Sequence, residues 1–280
     1  MIKLIASDLD GTLLNRFHQA DRYILNTIDK VLAKDIVFVV ATGRNMQEGK
    51  EFGLDFKNRP IYIISNNGAQ IKDTAGKTIF TKALPKEFVK ATLEKFSTLP
   101  LTFVTSSDIL VSVSKTDYLH GFNTEKRLIN RRILKLVHHH SQTRSFEVPH
   151  QEILKQEILK INVRIYDKEI SNDFQKHLEA FPEVVNAPYD NGIFEITERS
   201  VNKASSLRIL CDQLKIDYDQ VVVFGDGGND LELLSEFKHS YAVSNASKEA
   251  KARAKWIIGN AFLYSVSRKI RKLIQRNSAD

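Results

Sequence analysis

The most informative stretch of the chain carries the first candidate functional residues and reads Ile5-Ala6-Ser7-Asp8-Leu9-Asp10-Gly11-Thr12-Leu13-Leu14. An apolar run leads directly into two aspartates at i and i+2, and in an extended strand such residues point to the same side. We therefore expect Asp8 and Asp10 to emerge together where the strand ends and Gly11 lets the chain turn. Carboxylates held this close repel each other unless a cation compensates them, and Mg2+ prefers such oxygen ligands. A compensated carboxylate can also attack phosphorus, whereas the plain alternative is a turn with solvated acids.

Composition indicates an ordinary globular protein. Of the 280 residues, 42% are hydrophobic and 27% are charged, which are typical shares for a soluble domain. No run approaches the roughly 20 apolar residues of a membrane span, and no signal-peptide pattern precedes the aspartates. The single cysteine, Cys211, cannot form an internal disulfide. We therefore expect a cytoplasmic protein with no membrane partner.

The net charge of +7 permits a nucleic-acid or other acidic partner. Basic residues are enriched at Arg131-Arg132 and in the tail, where Val266, Ile270, Leu273 and Ile274 have the spacing of an amphipathic helix. A solvated helix face is the favoured interpretation of that tail, and nucleic acid is not the expected partner.

Short apolar runs that end in small or polar residues alternate with helical patterns. Near-continuous apolar strands of this kind are typical of a parallel sheet that is covered on both faces. The pattern therefore predicts a doubly wound α/β sheet, whose ligands bind at the carboxyl ends of the strands. The predicted strands are 3–7, 36–40, 61–64, 221–224, 240–243 and an edge strand 256–258, and the predicted helices are 21–33, 45–52, 203–214 and 230–236.

The middle of the chain has a different pattern. A hairpin is predicted from strands 69–72 and 77–82 across the turn 73–76. Helices are then predicted at 85–96 and 171–181, strands at 101–105, 109–113, 160–166 and 183–187, and a helix-prone stretch at 116–136. We expect residues 83–188 to form an inserted α+β domain and residues 1–82 and 189–280 to form the core.

A second acidic motif, Gly225-Asp226-Gly227-Gly228-Asn229-Asp230, follows a predicted strand. Asp226 is placed to join Asp8 and the backbone carbonyl of Asp10 as an Mg2+ ligand. Asn229 and Asp230 could hold metal-bound waters or orient the ligands. Asp230 could equally cap the helix that follows.

Phosphoryl transfer also needs donors for the developing negative charge. Thr42 offers a hydroxyl at a strand end, and Lys203 offers a positive charge at the start of a helix. Taken singly, Thr42 would be interpreted as a helix N-cap and Lys203 as a surface lysine. The two aspartate motifs favour the functional interpretation.

In their order along the chain, these motifs resemble those of the haloacid dehalogenase (HAD) superfamily of phosphotransferases. They are most similar to the Cof-type sugar-phosphatase branch, which carries a large α/β cap between its second and third motifs. The residues that carry the resemblance are Asp8-Leu9-Asp10-Gly11-Thr12-Leu13-Leu14, Ala41-Thr42-Gly43-Arg44, Asn66-Asn67-Gly68-Ala69, Asn202-Lys203 and Gly225-Asp226-Gly227-Gly228-Asn229-Asp230.

The resemblance implies a Rossmann-like core in which Asp8 is the nucleophile and forms a phospho-aspartate. It implies that Asp10 acts as general acid and then as general base. Mg2+ would be held by Asp8, Asp10 and Asp226, and the inserted cap domain would select the substrate. The residues implied to bind substrate are Thr42, Gly43, Arg44, Asn66, Asn67, Lys203 and Asn229.

The expected function is that of a Mg2+-dependent phosphatase acting on phosphomonoesters of small metabolites, with sugar phosphates as the first class to test. The alternatives are a phosphomutase or phosphotransferase acting on sugar phosphates, a phospho-accepting regulatory module, and a nucleic-acid binder. Asp10 argues against the regulatory module, because a neighbouring acid/base speeds hydrolysis of the phosphorylated state. His138-His139-His140 is interpreted as a solvated segment. We expect a monomer or weak homodimer.

Overall fold

The computed structural model describes residues 1–46, 50–55, 59–123, 144–187 and 192–276. The chain divides into two compact units. The first unit comprises Met1–Thr81 and Val201–Asp280, and the second comprises Lys82–Ser200.

The described strands and helices are numbered in chain order. The strands are Leu4–Ser7 (β1), Val37–Ala41 (β2), Lys50–Glu51 (β3), Leu54–Asp55 (β4), Tyr62–Ser65 (β5), Gln70–Lys72 (β6), Thr78–Thr81 (β7), Thr102–Val104 (β8), Ile109–Val111 (β9), Arg144–Ser145 (β10), Lys160–Arg164 (β11), Val184–Asn186 (β12), Ile193–Glu198 (β13), Val221–Gly225 (β14), His239–Ala242 (β15) and Trp256–Ile257 (β16). The helices are Arg22–Leu32 (α1), Lys86–Lys95 (α2), Lys115–Asn123 (α3), His150–Lys155 (α4), Lys168–Glu179 (α5), Lys203–Leu214 (α6), Leu231–Glu236 (α7), Lys248–Arg253 (α8) and Ser265–Arg276 (α9).

The first unit is built on a sheet with the order β16-β15-β14-β1-β2-β5-β6-β7. Neighbouring strands from β16 to β5 are parallel, and β6 and β7 are added as antiparallel strands. Ser7 at the end of β1 lies opposite Phe224 on one side and Val40 on the other. The carboxyl ends of β14, β1 and β2 therefore lie side by side at one edge of the sheet.

Both faces of this sheet are covered by apolar side chains. In β1, Ile5 packs in one buried cluster, while Leu4 and Ala6 pack in the other. The first cluster contains side chains of α1 and α9, and the second contains side chains of α6. This two-sided burial explains why the strands are apolar throughout, and it confirms the predicted doubly wound α/β fold class.

Helices α1 and α9 pack against each other on the first face. Asp21 begins α1 by accepting hydrogen bonds from the backbone of Tyr23 and Ile24, which satisfies two otherwise unpaired N–H groups. The predicted amphipathic tail helix is confirmed, because Val266 and Ile270 are buried along one stripe of α9.

The second unit contains a sheet with the order β10-β9-β8-β11-β13-β12, in which all pairs are antiparallel except β9 with β10. Its core is rich in aromatic side chains from α2 and α5. His177 lies among Phe88, Phe96 and Phe174, and its Nε2 is 2.9 Å from Thr92 Oγ1. Burial lowers the pKa of His177, because the protonated ring would be poorly solvated there.

Two expectations about the chain organisation were wrong. The predicted helix 45–52 is replaced in its described part by a short hairpin of β3 and β4, which turns through Phe52 and Gly53 at positive φ. The predicted insertion ended at residue 188, whereas the second unit continues to Ser200. The missed element is β13, which pairs with β11 and β12 and therefore belongs to the second sheet.

Some expectations fall outside the described residues, namely Arg131-Arg132, the three histidines 138–140 and most of the helix-prone stretch 116–136. Among the residues that are described, no helix is long and apolar enough to cross a membrane.

Candidate active site

The candidate site lies at the carboxyl ends of the central parallel strands. Asp8 follows β1, Thr42 follows β2 and Asp226 follows β14. The backbone N–H of Asp8 donates to Phe224 O at 3.0 Å, which holds the end of β1 against β14. Parallel register thus brings together residues that are far apart in sequence.

A kinked turn over Leu9–Leu13 brings the chain against Asp226. Gly11 has φ +75°, and a Cβ at this position would lie 2.4 Å from Asp226 Oδ2. The Thr12 hydroxyl donates to Asp226 Oδ1 at 2.6 Å, and Asn245 Nδ2 donates to the Gly11 carbonyl at 2.8 Å. The turn therefore needs glycine both for its backbone conformation and for the space that the Asp226 carboxylate occupies.

Lys203 connects two of the acidic residues. It is the first residue of α6, its side chain is fully buried, and its Nζ lies 2.7 Å from Asp8 Oδ1 and 2.7 Å from Asp230 Oδ1. The other oxygen of Asp230 accepts the backbone N–H groups of Asp226 and Gly227 at 2.9 and 3.0 Å. Asp230 therefore fixes both the lysine and the loop that carries Asp226.

Negative charge exceeds positive charge in this cluster. One carboxylate oxygen from each of Asp8, Asp226 and Asp230 lies within 4.8 Å of the others. Burial raises the pKa of Asp8 well above its usual value; Lys203 offsets part of this rise, and the neighbouring carboxylates add to it. Burial likewise raises the pKa of Asp226 to about 6, although the Thr12 hydrogen bond opposes the rise. The two acidic groups raise the pKa of Lys203 despite its burial, so the lysine is held charged.

These residues fit a divalent cation. Carboxylate oxygens are the hard donors that Mg2+ selects, and a cation would compensate the charge that a single lysine leaves unbalanced. The missing Cβ at Gly11 leaves room for the Asp226 carboxylate. Asp8 and Asp226, two of the three predicted ligands, belong to this cluster, and their role in holding Mg2+ stays a prediction. Both oxygens of Asp230 already hold Lys203 and backbone amides.

Asp10 is held differently from Asp8. Its two carboxylate oxygens pair with the Arg44 guanidinium, from Nε at 2.5 Å and from Nη2 at 2.7 Å, and Oδ1 also lies 2.9 Å from His18 Nδ1. Arg44 in turn lies 4.2 Å above the Phe52 ring. Burial favours a raised pKa for Asp10, but the hydrogen bonds and charges of His18 and Arg44 outweigh it and lower the pKa. In this arrangement Asp10 is an ionised, clamped carboxylate.

Thr42 is buried beside the clamp, and its Oγ1 accepts the backbone N–H of Arg44 at 3.1 Å. That contact uses the oxygen as an acceptor and leaves the hydroxyl proton to be donated elsewhere. The Asn67 side chain can approach the backbone of Gly43 closely, because Gly43 has no Cβ; a Cβ there would lie 2.6 Å from Asn67 Oδ1.

The two predicted asparagines 66 and 67 are also buried, and both have left-handed backbone conformations. Asn67 Oδ1 accepts a hydrogen bond from Asn229 Nδ2 at 3.0 Å. This pair ties the residues after β5 to the loop after β14. The side chain of Asn229 is therefore directed at Asn67, while its predicted role beside a metal stays a prediction.

Three contributing residues were not assigned a role from sequence. Thr12 lies within the first motif, and its hydroxyl beside the acidic pair was an available signal. His18 and Asn245 reach the site only through the tertiary fold, so no local pattern marks them.

The acidic cluster and the buried lysine lie at the switch point of the sheet, the place between β14 and β1 where the strand order reverses. Ligands of doubly wound α/β proteins bind at such points, so this arrangement is typical of an α/β enzyme. The family model of the haloacid dehalogenase-like hydrolases matches residues 5–270, and the chain belongs to that family.

Individual relatives are similar along nearly their whole length. The chain is 28% identical over 263 residues to the 5-amino-6-(5-phospho-D-ribitylamino)uracil phosphatase YbjI of Escherichia coli K12, and the match covers 92% of this chain and 91% of that protein. A haloacid dehalogenase-like hydrolase from B. subtilis has the same fold, with a TM-score of 0.80, 23% identity and coverage of 96% and 99%. The HAD subclass IIB sugar phosphatase BT4131 has a TM-score of 0.75 at 21% identity, with coverage of 97% and 98%.

Proposed function

We propose that this protein is a Mg2+-dependent phosphatase that hydrolyses phosphomonoesters of small metabolites through a phospho-aspartate. One observation carries the proposal: Asp8 and Asp226 lie together at the switch point of the sheet, with Lys203 bound to Asp8. Phosphoryl transfer needs a nucleophile surrounded by fixed positive charge, and this cluster supplies the nucleophile, Asp8, and one fixed cation, Lys203.

Asp8 is the proposed nucleophile. Its Oδ1 accepts a hydrogen bond from Lys203 Nζ at 2.7 Å, and this contact fixes the orientation of the carboxylate that would attack phosphorus. When bound by Asp8, Asp226 and the Asp10 carbonyl, Mg2+ supplies Lewis-acid charge that keeps the nucleophile ionised and neutralises phosphoryl oxygens. Asp230 acts as a positioning residue through Lys203 and the Asp226 backbone.

Lys203 and Thr42 are the proposed donors to the phosphoryl group. Lys203 is charged and fully buried, so it interacts more strongly with developing negative charge than an exposed lysine would. The Thr42 hydroxyl, which accepts from Arg44, can donate its proton to a phosphoryl oxygen. Both groups are held in place before substrate arrives. Lys203 belongs to α6, and the backbone N–H of Thr42, directly after β2, donates to Ile64 O at 2.8 Å.

Asp10 is the proposed general acid and then the general base. In the clamped arrangement it cannot protonate a leaving oxygen, because Arg44 and His18 keep it ionised. We infer that the anionic phosphate of the substrate competes with Asp10 for Arg44. Release of Asp10 would let its pKa rise toward that of a proton donor, and Arg44 would then bind the phosphate.

Sugar and polyol phosphates are the proposed substrate class. Two similar proteins support this class, the 5-amino-6-(5-phospho-D-ribitylamino)uracil phosphatase YbjI and the sugar phosphatase BT4131. The role of the inserted unit in choosing among such substrates stays a prediction.

A phosphate-release assay over a panel of sugar, polyol and nucleotide phosphates tests the proposal. We expect turnover with Mg2+, loss of turnover with a chelator, and recovery when Mg2+ is restored. Release without an added acceptor separates a phosphatase from a phosphomutase. Turnover that survives complete metal removal, or no release from any ester, would contradict the proposal.

A further inference from the structure

The positive charge of the chain is concentrated in one segment. Residues 250–276 contain eight Lys and Arg and no Asp or Glu, whereas the whole chain has a net charge of +7. Outside this segment, acidic residues therefore outnumber basic ones by one. Such asymmetry indicates an interaction with an anionic surface more than a general need for solubility.

The cations of this segment are not used in ion pairs within the described part of the chain. Arg268, Lys272 and Arg276 are exposed at i, i+4 and i+8 of α9, and they therefore share one face of the helix. The opposite stripe, which includes Val266 and Ile270, is buried. The helix thus presents these three cations to solvent, whereas Lys269 and Arg271 are half-buried.

Large apolar side chains are exposed in the same segment. The exposed fractions are 41% for Trp256, 57% for Ile257, 43% for Phe262 and 64% for Leu263. Trp256 and Ile257 form β16, which is the outermost strand on its side of the described sheet. Water-facing aliphatic and aromatic residues of this size indicate a surface that is covered in use.

These apolar residues adjoin the cationic helix. Trp256 stacks on Tyr241 with ring centroids 4.9 Å apart, and Lys269 Nζ lies 4.6 Å from the centroid of the same Tyr241 ring. Arg268 donates a hydrogen bond to the Leu263 carbonyl. We name the surface of Trp256, Ile257, Phe262, Leu263, Arg268, Lys272 and Arg276 the cationic edge.

We propose that the cationic edge binds the surface of an anionic lipid bilayer. Cations attract anionic headgroups, and adjacent apolar side chains enter the boundary between headgroups and acyl chains. A nucleic acid would satisfy the cations but would leave Ile257 and Leu263 in water, since aliphatic side chains cannot stack on bases as aromatic ones do. Such binding is peripheral and needs no spanning helix. It differs from the expectation of no membrane partner, which considered only membrane-spanning segments and a signal peptide.

The cationic edge also adjoins the catalytic loop. Asn245 Oδ1 accepts the backbone N–H of Ala261 at 2.9 Å, next to Phe262, and Asn245 Nδ2 donates to the Gly11 carbonyl. Lipid contact at Phe262 and Leu263 would therefore act on a segment that is one side chain away from the turn carrying Asp10 and Gly11.

The chain carries its own probe for this proposal, because Trp256 is its single tryptophan. Vesicles of phosphatidylcholine mixed with phosphatidylglycerol are added to the full-length protein, and pure phosphatidylcholine vesicles serve as the reference. We expect co-sedimentation with the anionic vesicles only, a blue shift of the tryptophan emission and weaker quenching by acrylamide. Added salt should weaken the binding.

Two variants separate the contribution of the cations to vesicle binding from that of the apolar side chains. Lys272→Gln with Arg276→Gln should lower the partition coefficient roughly 25-fold, at about fivefold for each cation near the surface. Leu263→Ser should lower it about tenfold through lost apolar insertion. The matched control is Lys168→Gln with Lys176→Gln, which removes two exposed cations from α5 in the second unit and should leave binding nearly unchanged.

Several outcomes would overturn the proposal. The first is the absence of vesicle binding together with an unchanged emission spectrum, and the second is an equal loss of vesicle binding in the α9 and α5 variants. The protein could also fail to bind vesicles but bind duplex DNA or RNA, or fail to bind vesicles but form a dimer that Leu263→Ser dissociates. The vesicle assay does not depend on turnover, so it can fail while phosphate release stands. The α9 variant should keep the basal activity.

Discussion

Gly11→Ala changes no functional group, yet it should disable the acidic cluster. The new Cβ would lie 2.4 Å from Asp226 Oδ2 and 3.0 Å from its Cγ, distances that side-chain atoms do not tolerate. The backbone is also held at φ +75°, where an L-residue costs about 1–2 kcal/mol. The Asp226 carboxylate must therefore move away from the position in which Thr12 and the acidic cluster hold it.

The expected consequence is a weaker metal site in a protein that still folds. Loss of an oriented carboxylate should weaken Mg2+ binding about 10–100-fold, as disturbance of outer-shell partners alone does in other sites. Isothermal titration with Mg2+ measures the binding, and the Mg2+ dependence of phosphate release measures its effect on turnover. Excess Mg2+ should restore part of the activity.

Gly76→Ala is the matched control. Gly76 has φ +80°, but a Cβ there would meet no atom within 4 Å. This variant should lose a similar amount of stability for its backbone, about 1–2 kcal/mol, and should keep the Mg2+ affinity of the parent protein. If Gly11→Ala binds Mg2+ as Gly76→Ala does, the close approach of Gly11 to Asp226 has no bearing on the metal site.

Three further predictions follow from the described contacts. Lys203→Met leaves Asp8 and Asp230 as uncompensated buried carboxylates. It should lower kcat at least about 100-fold and lower the free energy of unfolding, measured by urea denaturation, by about 3–5 kcal/mol. If the variant kept the parental kcat, the lysine would have no part in the mechanism. Asp10→Asn should free Arg44 from its ion pair and strengthen inhibition by inorganic phosphate about 2–5-fold. Arg44→Gln should weaken the same inhibition. Equal inhibition constants in the two variants would refute the idea that Asp10 and phosphate compete for Arg44. Because the pKa of His177 is lowered in the folded protein, the unfolded chain binds the proton at a higher pH than the folded chain does. The contribution of neutral His177 to stability is therefore present above about pH 6.5 and is lost as the pH falls toward the folded pKa. The thermal denaturation temperature should accordingly depend less on pH, between neutral and mildly acidic values, in His177→Gln than in the parent protein.

The central sheet could be predicted because its strands are buried on both faces and end in polar motifs. Strand 221–224, for example, is observed as Val221–Gly225. Parallel register also made it possible to expect that Asp8 and Asp226 meet, since residues that follow neighbouring parallel strands share one edge of the sheet. Lys203 was expected there because the two aspartate motifs favoured a functional role for the cation that begins α6, and it does contact Asp8.

Other features had no sufficient local signal. The clamp of Arg44 and His18 on Asp10 depends on side-chain rotamers and on a loop that turns through His18 at positive φ. The hairpin of β3 and β4 replaced an expected helix because Phe52 and Gly53 adopt turn conformations. By contrast, the sequence does indicate β13, because Phe194 and Ile196 alternate with Glu195 in the pattern of a half-buried strand. Placing the domain boundary at residue 188 did not take this strand into account.

The attack of Asp8 on phosphorus can be measured by rapid acid quench during turnover of a phosphorus-labelled sugar phosphate in Mg2+, followed by peptide mapping. We expect the label on the peptide that contains Asp8, lost on treatment with hydroxylamine and absent from Asp8→Asn, which should fold normally and release no phosphate. Label on a different residue, or sustained phosphate release by Asp8→Asn, would contradict the proposal that Asp8 carries the phosphoryl group.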